Sequence, residues 1–490
     1  MADQYRHGAW GFLGESRSEA ATKVVTAPVY ICAAPVHMLA DYEGKVNRPI
    51  QVTSYPDAVR KVGYSRDWKS FGASEIVSAH FQNGIEPIGP VYLINVFDPD
   101  TMRGNTQETV SVNLIGGTGR IPNDKIIRNT VNIAGMIENV DYFLDYDTGK
   151  GELIIRDIGG SLSSPVTVQF YEADPSQVTE AEIIGAISGN GDATGVFAAR
   201  YLYQMYNVVP TILAAPGWSH MAEVGAALRA NAQSINGHWN AFVYDDLPAE
   251  DAAQHGIDKI VAIKQQMGYR GENEAPNWPR AKKNGKIYHL STIHVVRTMQ
   301  TDRQNNGIPY ETGSNKPIDI DALCFEDGTE ILFDQEQANS LNASGITTAI
   351  YWGGRWVLWG PHTGNFFYNS DNDVRGIFEP YMRMLYYILN SFQLVEGPEV
   401  DRPMDRRLKD AILLRWQSRL DGLANIGAIL YGKIDFRPED NVTSDLINGD
   451  FLFDIELTVT PPAKSIGARV SWTDKGLRAY FDELQEVSGL

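Results

Sequence analysis

The sequence predicts an α/β core that carries an inserted all-β domain and is followed by an α+β C-terminal domain, with an extended arm at each end. Apolar runs alternate with helical stretches in the core, strict two-residue alternation replaces them between about 103 and 176, and long amphipathic helices precede further strands after Asp373. The predicted segments are an N-terminal arm at 1–26, the first part of the core at 27–102, the inserted β domain at 103–176, the remaining α/β core at 177–364, the C-terminal domain at 365–475 and a C-terminal arm at 476–490.

The core is predicted from short apolar runs separated by helices. Residues 28–35 and 89–97 are typical of buried strands, and residues 48–64 predict a strand followed by a helix. The clearest strand–helix–strand unit spans 208–248, with Ser219 placed to cap its helix. Such units bring parallel strands side by side, so we expect an α/β arrangement.

Two hairpins are predicted from turn residues that separate alternating strands. Residues 142–158 alternate on both sides of an Asp147–Gly149 turn inside the inserted β domain. Residues 346–359 do the same around Gly353–Gly354, and glycine readily adopts the positive φ that a tight turn requires.

The C-terminal domain is predicted from two amphipathic helices and two strands. The helices begin after Asp373 and after Pro403, each with one apolar face. Alternation from Phe451 to Val459 predicts a strand that Pro461–Pro462 ends, and a second alternating set predicts another strand. The second set is Ile466, Ala468, Val470 and Trp472.

The composition argues against nucleic-acid and membrane partners. The 490-residue chain has a formal net charge of −19, which opposes binding to a phosphate backbone. Cys32 and Cys324 are far apart in sequence and predict buried, reduced thiols rather than a disulfide framework or a zinc cluster. No apolar run of membrane-spanning length and no leader is recognisable, so we expect a protein kept in the cytosol of its producer.

The residue types that carry catalysis form no convincing constellation. Ser219 is followed directly by His220, and Asp245–Asp246 ends a predicted strand, so no Ser-His-Asp arrangement emerges. His289 and His294 lie in a region predicted as strand, at a spacing that does not match a helical metal-binding pair. We therefore expect no enzyme activity, no metal and no cofactor.

Several sequence blocks match one family in order along the chain. They are His7–Gly8, NRPIQVTSY at 47–55, YEADPSQVTEAEIIG at 171–185, AAPGWSHMAEVGAAL at 214–228, PYETGSNKPI at 309–318, ANSLNASGITTAI at 338–350 and NVTSDLINGDFLFDIELTVTPPAKSI at 441–466. Together with the tryptophan-rich run at 337–363, these blocks resemble the tail sheath proteins of contractile-tailed bacteriophages. The resemblance extends over most of the chain, and the order of the blocks carries it.

The resemblance implies a non-catalytic core of the subtilisin type and a structural role. In that role, copies of the chain stack as hexameric rings around a tail tube protein, with baseplate and tail terminator proteins as further partners. Contraction then drives the tube through the host envelope. The implied location is the virion, after assembly in the cytoplasm of a host bacterium. The sheath of a phage-derived bacteriocin or other contractile injection system is an alternative, and a subtilisin-like serine hydrolase is a distant one.

The resemblance also implies terminal arms that add strands to the sheets of neighbouring subunits. The expected arm contacts are Trp10, Phe12, Leu477, Tyr480, Phe481 and Leu484. The second C-terminal helix is the expected tube-facing surface, because positive charge is concentrated along it. Its cations are Arg406, Arg407, Lys409, Arg415 and Arg419.

Overall fold

The computed structural model describes residues 24–477 and 479–480. Its strands are β1 Pro28–Cys32, β2 Pro49–Val52, β3 Val91–Asn95, β4 Glu108–Val112, β5 Thr118–Ile121, β6 Tyr142–Asp147, β7 Glu152–Asp157, β8 Val166–Phe170, β9 Ile212–Ala214, β10 Phe242–Asp246, β11 Glu274–Asn277, β12 Arg280–Lys283, β13 Lys286–His289, β14 Ala322–Cys324, β15 Glu330–Ile331, β16 Thr348–Trp352, β17 Arg355–Trp359, β18 Ile429–Asp435 and β19 Asp454–Val459. Its helices are α1 Tyr55–Val62, α2 Ala73–Phe81, α3 Glu180–Ile184, α4 Tyr201–Tyr206, α5 Ala222–Ala232, α6 Ala252–His255, α7 Ile257–Gln266, α8 Leu290–Gln304, α9 Gln335–Asn342, α10 Glu379–Glu396, α11 Arg406–Asn425 and α12 Thr443–Asn448. None of the helices in this described part of the chain has the length and apolarity needed to cross a membrane.

The chain divides after Thr460 into two units, and the first contains every strand and helix named above. In the second unit, residues 461–473 form neither strand nor helix, and helical residues begin only at Lys475. The strand predicted from Ile466 to Trp472 is therefore wrong for the chain by itself. A strand needs a neighbour that takes its backbone hydrogen bonds, and no described strand pairs with 461–473.

A six-stranded sheet forms the centre of the first unit, in the order β11-β10-β9-β1-β3-β2. Its strands pair in parallel, except that β2 runs antiparallel to β3. Every residue of β1, β3, β9 and β10 is buried, as in parallel sheets that are covered on both faces. Continuous apolar runs mark such strands in a sequence, and the predicted mixed α/β content is confirmed.

The strand–helix–strand unit formed by β9, α5 and β10 is confirmed, but Ser219 does not cap its helix. The N-cap residue of α5 is Met221, which makes no side-chain capping bond. The buried Ser219 hydroxyl instead accepts the backbone N–H of Asp246 at 3.0 Å. The helix begins later than predicted because a turn comes first, in which the N–H groups of Trp218 and Ser219 bond to the Ala215 carbonyl oxygen.

The inserted β region folds around a buried cluster of its own. Strands β4 and β8 pair antiparallel, and β5, β7 and β6 form a three-stranded sheet. The buried side chains between them include Leu144, Leu153, Ile155, Val168 and Phe170. The predicted turn after Asp147 is confirmed, and it ends at Gly151 with φ +70°.

Strands β16 and β17 form the tight hairpin predicted from Gly353–Gly354. Trp352 pairs with Arg355 across the two glycines. Their φ angles of 61° and 81° lie in the left-handed region, where residues with a side chain are strained. Local sequence alone therefore specifies this turn.

Helix α8 is deeply buried, and every residue from Leu290 to Asp302 belongs to the protein interior. It contains His294, so the prediction of a strand around this residue is wrong. Because α8 is buried on every side, its sequence lacks the amphipathic period by which helices are recognised. The two ring nitrogens of His294 lie 2.8 Å from Asn277 Oδ1 and 3.1 Å from a carboxylate oxygen of Glu379.

A buried network of charged side chains joins α8 to α10 and to the main sheet. Arg383 of α10 binds the Asp302 carboxylate with both terminal nitrogens and lies 3.6 Å from Glu379. Glu379 also accepts from the Tyr244 hydroxyl in β10 and pairs with His294 at 3.1 Å. All five side chains belong to residues that are 6% exposed or less.

Arg383 and Glu379 are stabilised as charged groups by their neighbours, whereas at Asp302 burial outweighs Arg383 and raises the pKa of the carboxyl group. Burial acts to lower the pKa of Arg383, but Asp302 and Glu379 outweigh it, so that the pKa is raised and the guanidinium stays charged. Burial likewise acts to raise the pKa of Glu379, but His294 and Arg383 reverse the direction and bring it below the ordinary value. Removal of one member leaves a buried charge without its partner.

We expect Arg383→Met to lower the free energy of unfolding by about 3–5 kcal/mol, the usual cost of breaking a buried pair. Asp302 and Glu379 then remain buried without their cation. Urea denaturation followed by tryptophan fluorescence measures the change. The control is Arg402→Met, which removes a surface pair with Glu399 in which the Arg402 side chain is 62% exposed, and it should change stability little. Equal stability of the two variants would contradict a structural role for the network.

Candidate assembly site

The β18–β19 ribbon is a two-stranded sheet that packs on the long helices α10 and α11. Alternation along the strands directs Ile434 and Val459 inward, where they join a buried cluster with Trp416 of α11. On the other side of β18, Leu430 and Tyr431 are 63% and 48% exposed. A sheet of two strands has two outer edges, and an unpaired edge is a template for further strands.

The side chain of Gln417 in α11 covers part of the outer edge of β18. Its Nε2 donates to the Gly432 carbonyl oxygen at 3.1 Å, and its Oε1 accepts from the Ile434 N–H at 3.2 Å. An amide side chain offers the donor and acceptor that a strand backbone offers. Gln417 thus occupies a place where a neighbouring strand would bind.

The outer edge of β19 has no such cover. Across the ribbon, Gly432 and Ile434 face Leu457 and Ile455. Gln417 binds the backbone groups of Gly432 and Ile434, so these groups point away from β19. In an antiparallel pair, the residues directly opposite then also direct their backbone groups away from the partner strand. The backbone N–H and C=O groups of Leu457 and Ile455 therefore point outward. Within residues 24–477, no backbone group pairs with them.

A groove of about 650 Å³ lies beside β19. Its apolar lining consists of Met382, Leu385, Tyr386, Ile388, Leu389 and Phe392 from α10, together with Phe453, Ile455 and Leu457. In strand addition, the backbone of an incoming segment binds the open edge and its alternate side chains fill neighbouring pockets. The β19 edge and this groove supply both halves of that arrangement.

Residues 461–473 have the pattern of a strand whose apolar face is uncovered. Ile466, Val470 and Trp472 are 88%, 93% and 82% exposed. Together with Ala468 they share one face of an extended chain. Large apolar side chains exposed side by side mark an interaction surface.

The predicted arm contacts lie only partly within the described residues. Leu477 and Tyr480 are 55% and 61% exposed. Trp10, Phe12, Phe481 and Leu484 lie outside the described residues. At the inner end of the predicted N-terminal arm, Val24 is buried against the α10–α11 cluster, and Thr26 donates to Asp302 at 2.6 Å. The inner end of this segment is thus attached to the buried charge network.

The predicted tube-facing cations occupy different environments. Arg406 and Arg407 lie in the exposed first turn of α11, where Arg406 pairs with Asp410 at 3.6 Å but keeps 91% of its side chain exposed. Lys409 and Arg415 pair with carboxylates of the same chain at 3.1 and 2.6 Å, and Arg419 donates to two hydroxyl groups of α10. Arg406 and Arg407 are therefore the cations best placed to meet a partner.

The catalytic candidates make hydrogen bonds within the core. Asp246 accepts from the Ser291 hydroxyl at 2.6 Å, and His289 Nδ1 lies 2.6 Å from Glu75 Oε2. Burial raises the pKa of Glu75 to about 8. Over the described ranges, no three His, Cys, Asp or Glu side chains are grouped so that they could hold a metal ion.

Sequence reasoning missed Gln417 and the groove. A glutamine in the middle of a polar-faced helix carries no signal that it faces a strand edge. The sequence predicted the helix and the strand that form the groove, but the part of their faces that stays uncovered depends on packing.

Known proteins similar to this chain include phage tail sheath proteins. The tail sheath protein of Burkholderia phage BcepMu is 25% identical over an alignment of 501 positions, which covers 95% of this chain and 96% of the relative. The tail sheath protein of Escherichia phage P2 is 26% identical over 331 residues, covering 64% of this chain and 78% of the relative. No protein-family model matches the chain. The resemblance to phage tail sheath proteins is confirmed by these relatives.

Two solved structures share the fold. A chain of the anti-feeding prophage baseplate aligns with a TM-score of 0.53 at 15% identity, over 96% of this chain and 100% of the other. A chain from the sheath complex of an extracellular contractile injection system, in the contracted state, gives 0.53 at 12% identity with the same coverage of 96% and 100%. At these identities the likeness concerns the fold alone.

We expect Ile455→Pro to leave the ribbon folded, because its N–H points away from β18 and proline is tolerated where no ladder bond is lost. Glu456→Pro should destabilise the subunit by about 1–3 kcal/mol, since the bond to Lys433 across the ribbon is lost. Thermal unfolding followed by circular dichroism compares the two variants. Equal destabilisation would contradict the assignment of the outer edge.

Proposed function

We propose that this chain is the structural subunit of a contractile phage tail sheath. Copies stack as hexameric rings around a tail tube protein, with baseplate and tail terminator proteins as partners, and contraction drives the tube through the host envelope. The chain then acts in the virion after assembly in the cytoplasm of a host bacterium. The observation that carries the proposal is an open strand edge beside an apolar groove, in a chain that also has a strand-like segment with an exposed apolar face.

In this proposal, residues 461–473 of one copy pair with β19 of the next. The outward groups of Ile455 and Leu457 bind the incoming backbone, at about 0.5–1.5 kcal/mol net per hydrogen bond. The apolar face enters the groove, where burial contributes about 1.5–3 kcal/mol for a side chain such as valine or isoleucine. Ordering the segment opposes these gains, so a single junction is weak. A ring of such junctions holds because each copy is tied to more than one neighbour.

The arms are long enough to connect separate subunits. An extended chain advances about 3.3–3.6 Å per residue, so residues 461–473 reach roughly 45 Å. This exceeds the roughly 30 Å diameter of a small domain. The segment that follows, with Leu477, Tyr480, Phe481 and Leu484, and the N-terminal arm, with Trp10 and Phe12, extend the same connection.

Contraction requires subunits that move as rigid bodies while their arms keep them connected. The buried network of Arg383, Asp302 and Glu379 supports such rigidity. The core then serves as a scaffold of the subtilisin type without a catalytic role. A serine hydrolase is disfavoured, because the fully buried Ser219 accepts a backbone N–H through its hydroxyl.

The relatives favour a phage tail over a bacteriocin or another contractile injection system. Both relatives compared above are named as phage tail sheath proteins and are 25% and 26% identical to this chain. The injection-system structures support the common fold at 15% and 12% identity. Strand addition through β19 would operate in the same way in either machine.

We expect the purified chain to polymerise into hollow cylinders that negative-stain electron microscopy detects. Removal of residues 461–490 should leave a folded subunit that stays monomeric, because the incoming strand is gone. Removal of residues 1–20 should have the same effect. Ile455→Pro should also block polymerisation, whereas the matched control Ile455→Val keeps the N–H and should form cylinders.

Two outcomes would contradict these expectations. Cylinders of normal length from the chain without residues 461–490 would exclude strand addition by that segment. Persistent monomers of the intact chain at high concentration would count against the sheath function itself.

We expect the double variant Arg406→Glu, Arg407→Glu to sheathe tail tubes at least several-fold less well, because exposed positive charge at the start of α11 is reversed. Co-sedimentation with purified tail tubes measures this, and negative stain checks that free cylinders still form. Arg156→Glu, at an exposed position in β7, is the matched control. Undiminished sheathing by the double variant would remove α11 as the tube contact.

A further inference from the structure

The tip of the β16–β17 hairpin exposes aromatic side chains to solvent. Tyr351 and Trp352 are 62% and 53% exposed, and the Trp356 ring packs edge-to-face on the Tyr351 ring at a centroid distance of 5.8 Å. Large apolar side chains that stay exposed side by side mark an interaction surface. None of the proposed strand-addition contacts uses this hairpin.

Hydrogen bonds on the outer side of β17 hold the hairpin in place. The Ile318 N–H donates to the Trp356 carbonyl oxygen at 3.0 Å, and the Leu358 N–H donates to the Lys316 carbonyl oxygen at 3.1 Å. The Trp356 ring nitrogen donates to the Asp321 carbonyl oxygen at 2.9 Å. Because the backbone of the hairpin is already fixed, a partner that binds it has little ordering cost to overcome.

The charge of the hairpin differs from that of the rest of the chain. Residues 337–370 contain no aspartate or glutamate, although the chain has 61 such residues, and their one permanent cation is Arg355. Arg355 is exposed and belongs to no ion pair in the part of the chain that the structure describes. Tryptophan, tyrosine and arginine are the side chains that contribute most to binding at protein interfaces. The tip therefore combines an interface composition with an unpaired positive charge.

The connection between β18 and β19 has the opposite character. Residues 438–452, which we call the acidic lobe, include α12 and contain no lysine, arginine or histidine. Exposed apolar side chains lie among its carboxylates: Ile447 is 79% exposed, and Val442 and Leu452 are 46% and 56% exposed. The carboxylates are those of Glu439, Asp440, Asp445 and Asp450.

The carboxylates of the acidic lobe are free to meet a cation of another molecule. Arg437, the cation next to the lobe in sequence, pairs with Asp454 and Glu456 instead. Across the described residues, no ion pair includes a carboxylate of the lobe. The lobe thus offers unpaired negative charge around an apolar centre, as the hairpin tip offers unpaired positive charge beside aromatic rings.

A buried asparagine fixes the shape of the acidic lobe. Asn441 Nδ2 donates to the carbonyl oxygens of Arg437 and Leu452, each at 2.9 Å, and Asn441 Oδ1 accepts the Leu452 N–H at 2.8 Å. These bonds join the two ends of the lobe. The lobe also continues directly into both strands of the β18–β19 ribbon, through which the proposed assembly connects neighbouring copies. A partner for the lobe is therefore to be sought on a neighbouring copy.

We propose that the hairpin tip of one copy binds the acidic lobe of another copy, with Trp352 on the apolar side chains of the lobe and Arg355 paired with its carboxylates. Opposite charges on two surfaces of one chain favour contact between the unlike surfaces of two copies and oppose contact between like surfaces. The inference builds on the proposed assembly of copies, and it adds a contact between folded surfaces to the strand addition made by the terminal segments.

Photocrosslinking of the full chain tests the contact. The photoreactive amino acid p-benzoyl-phenylalanine replaces Trp352, and unlabelled copies that carry it are mixed with ¹⁵N-labelled copies before irradiation and mass spectrometry. We expect crosslinks between position 352 of one copy and residues 438–452 of the other. The same amino acid in place of Phe143, an exposed aromatic residue of the inserted β region, is the matched control and should not react with the lobe.

Charge reversal gives a second measurement. Arg355→Glu should lower the yield of these crosslinks about tenfold or more, because like charges then face each other. Copies that carry Glu439→Lys and Asp440→Lys should restore the yield when they are mixed with Arg355→Glu copies. Arg156→Glu, at an exposed position in β7, is the control and should leave the yield unchanged.

This contact and the sheath function fail in different ways. Cylinders of the intact chain without crosslinks from position 352 to the lobe overturn the contact and leave the sheath function standing. Crosslinks to the lobe in a chain that forms no cylinders support the contact and count against the sheath function.

Three further results would also overturn the contact. They are crosslinks found only within one copy, crosslinks found only to an added tail tube, and a yield that Arg355→Glu leaves unchanged. If circular dichroism shows that the chain with the replaced Trp352 does not fold, the photoreactive amino acid is placed at Tyr351, and the same outcomes apply.

Discussion

The buried pair of Arg383 and Asp302 is the interaction on which the rest of the structure depends. It ties α8 to α10, the helix against which β19 packs. Glu379 extends the network to Tyr244 in the main sheet, and Asp302 extends it to Thr26, just before β1. Buried charges tolerate few alternative partners, whereas apolar side chains can slide past one another, so we interpret this network as holding the first unit in one arrangement.

That arrangement leaves the outer edge of β19 without a neighbouring strand among the described residues. The packing of α11 brings Gln417 onto the β18 edge, while the β19 edge stays open beside an apolar groove. Monomeric proteins usually cover or charge such an edge, because it invites pairing with other chains. The first unit offers an open strand edge, and residues 461–473 offer an exposed apolar face, so one copy can supply what the other lacks.

The sequence by itself determined the elements whose causes are local. Gly353–Gly354 specified a turn, continuous apolar runs specified the buried strands, and strict alternation specified the inserted β region. Only the tertiary structure decided that His294 belongs to a helix buried on every side, that Gln417 covers a strand edge, and that residues 466–472 are no strand within one copy. Alternation in a sequence predicts which side chains lie on one face of a strand. A strand also needs a neighbouring strand that takes its backbone hydrogen bonds, and alternation does not identify that neighbour. The residues that supply burial, ion pairs and hydrogen bonds come from distant parts of the chain, and a pattern within a short window carries no information about them.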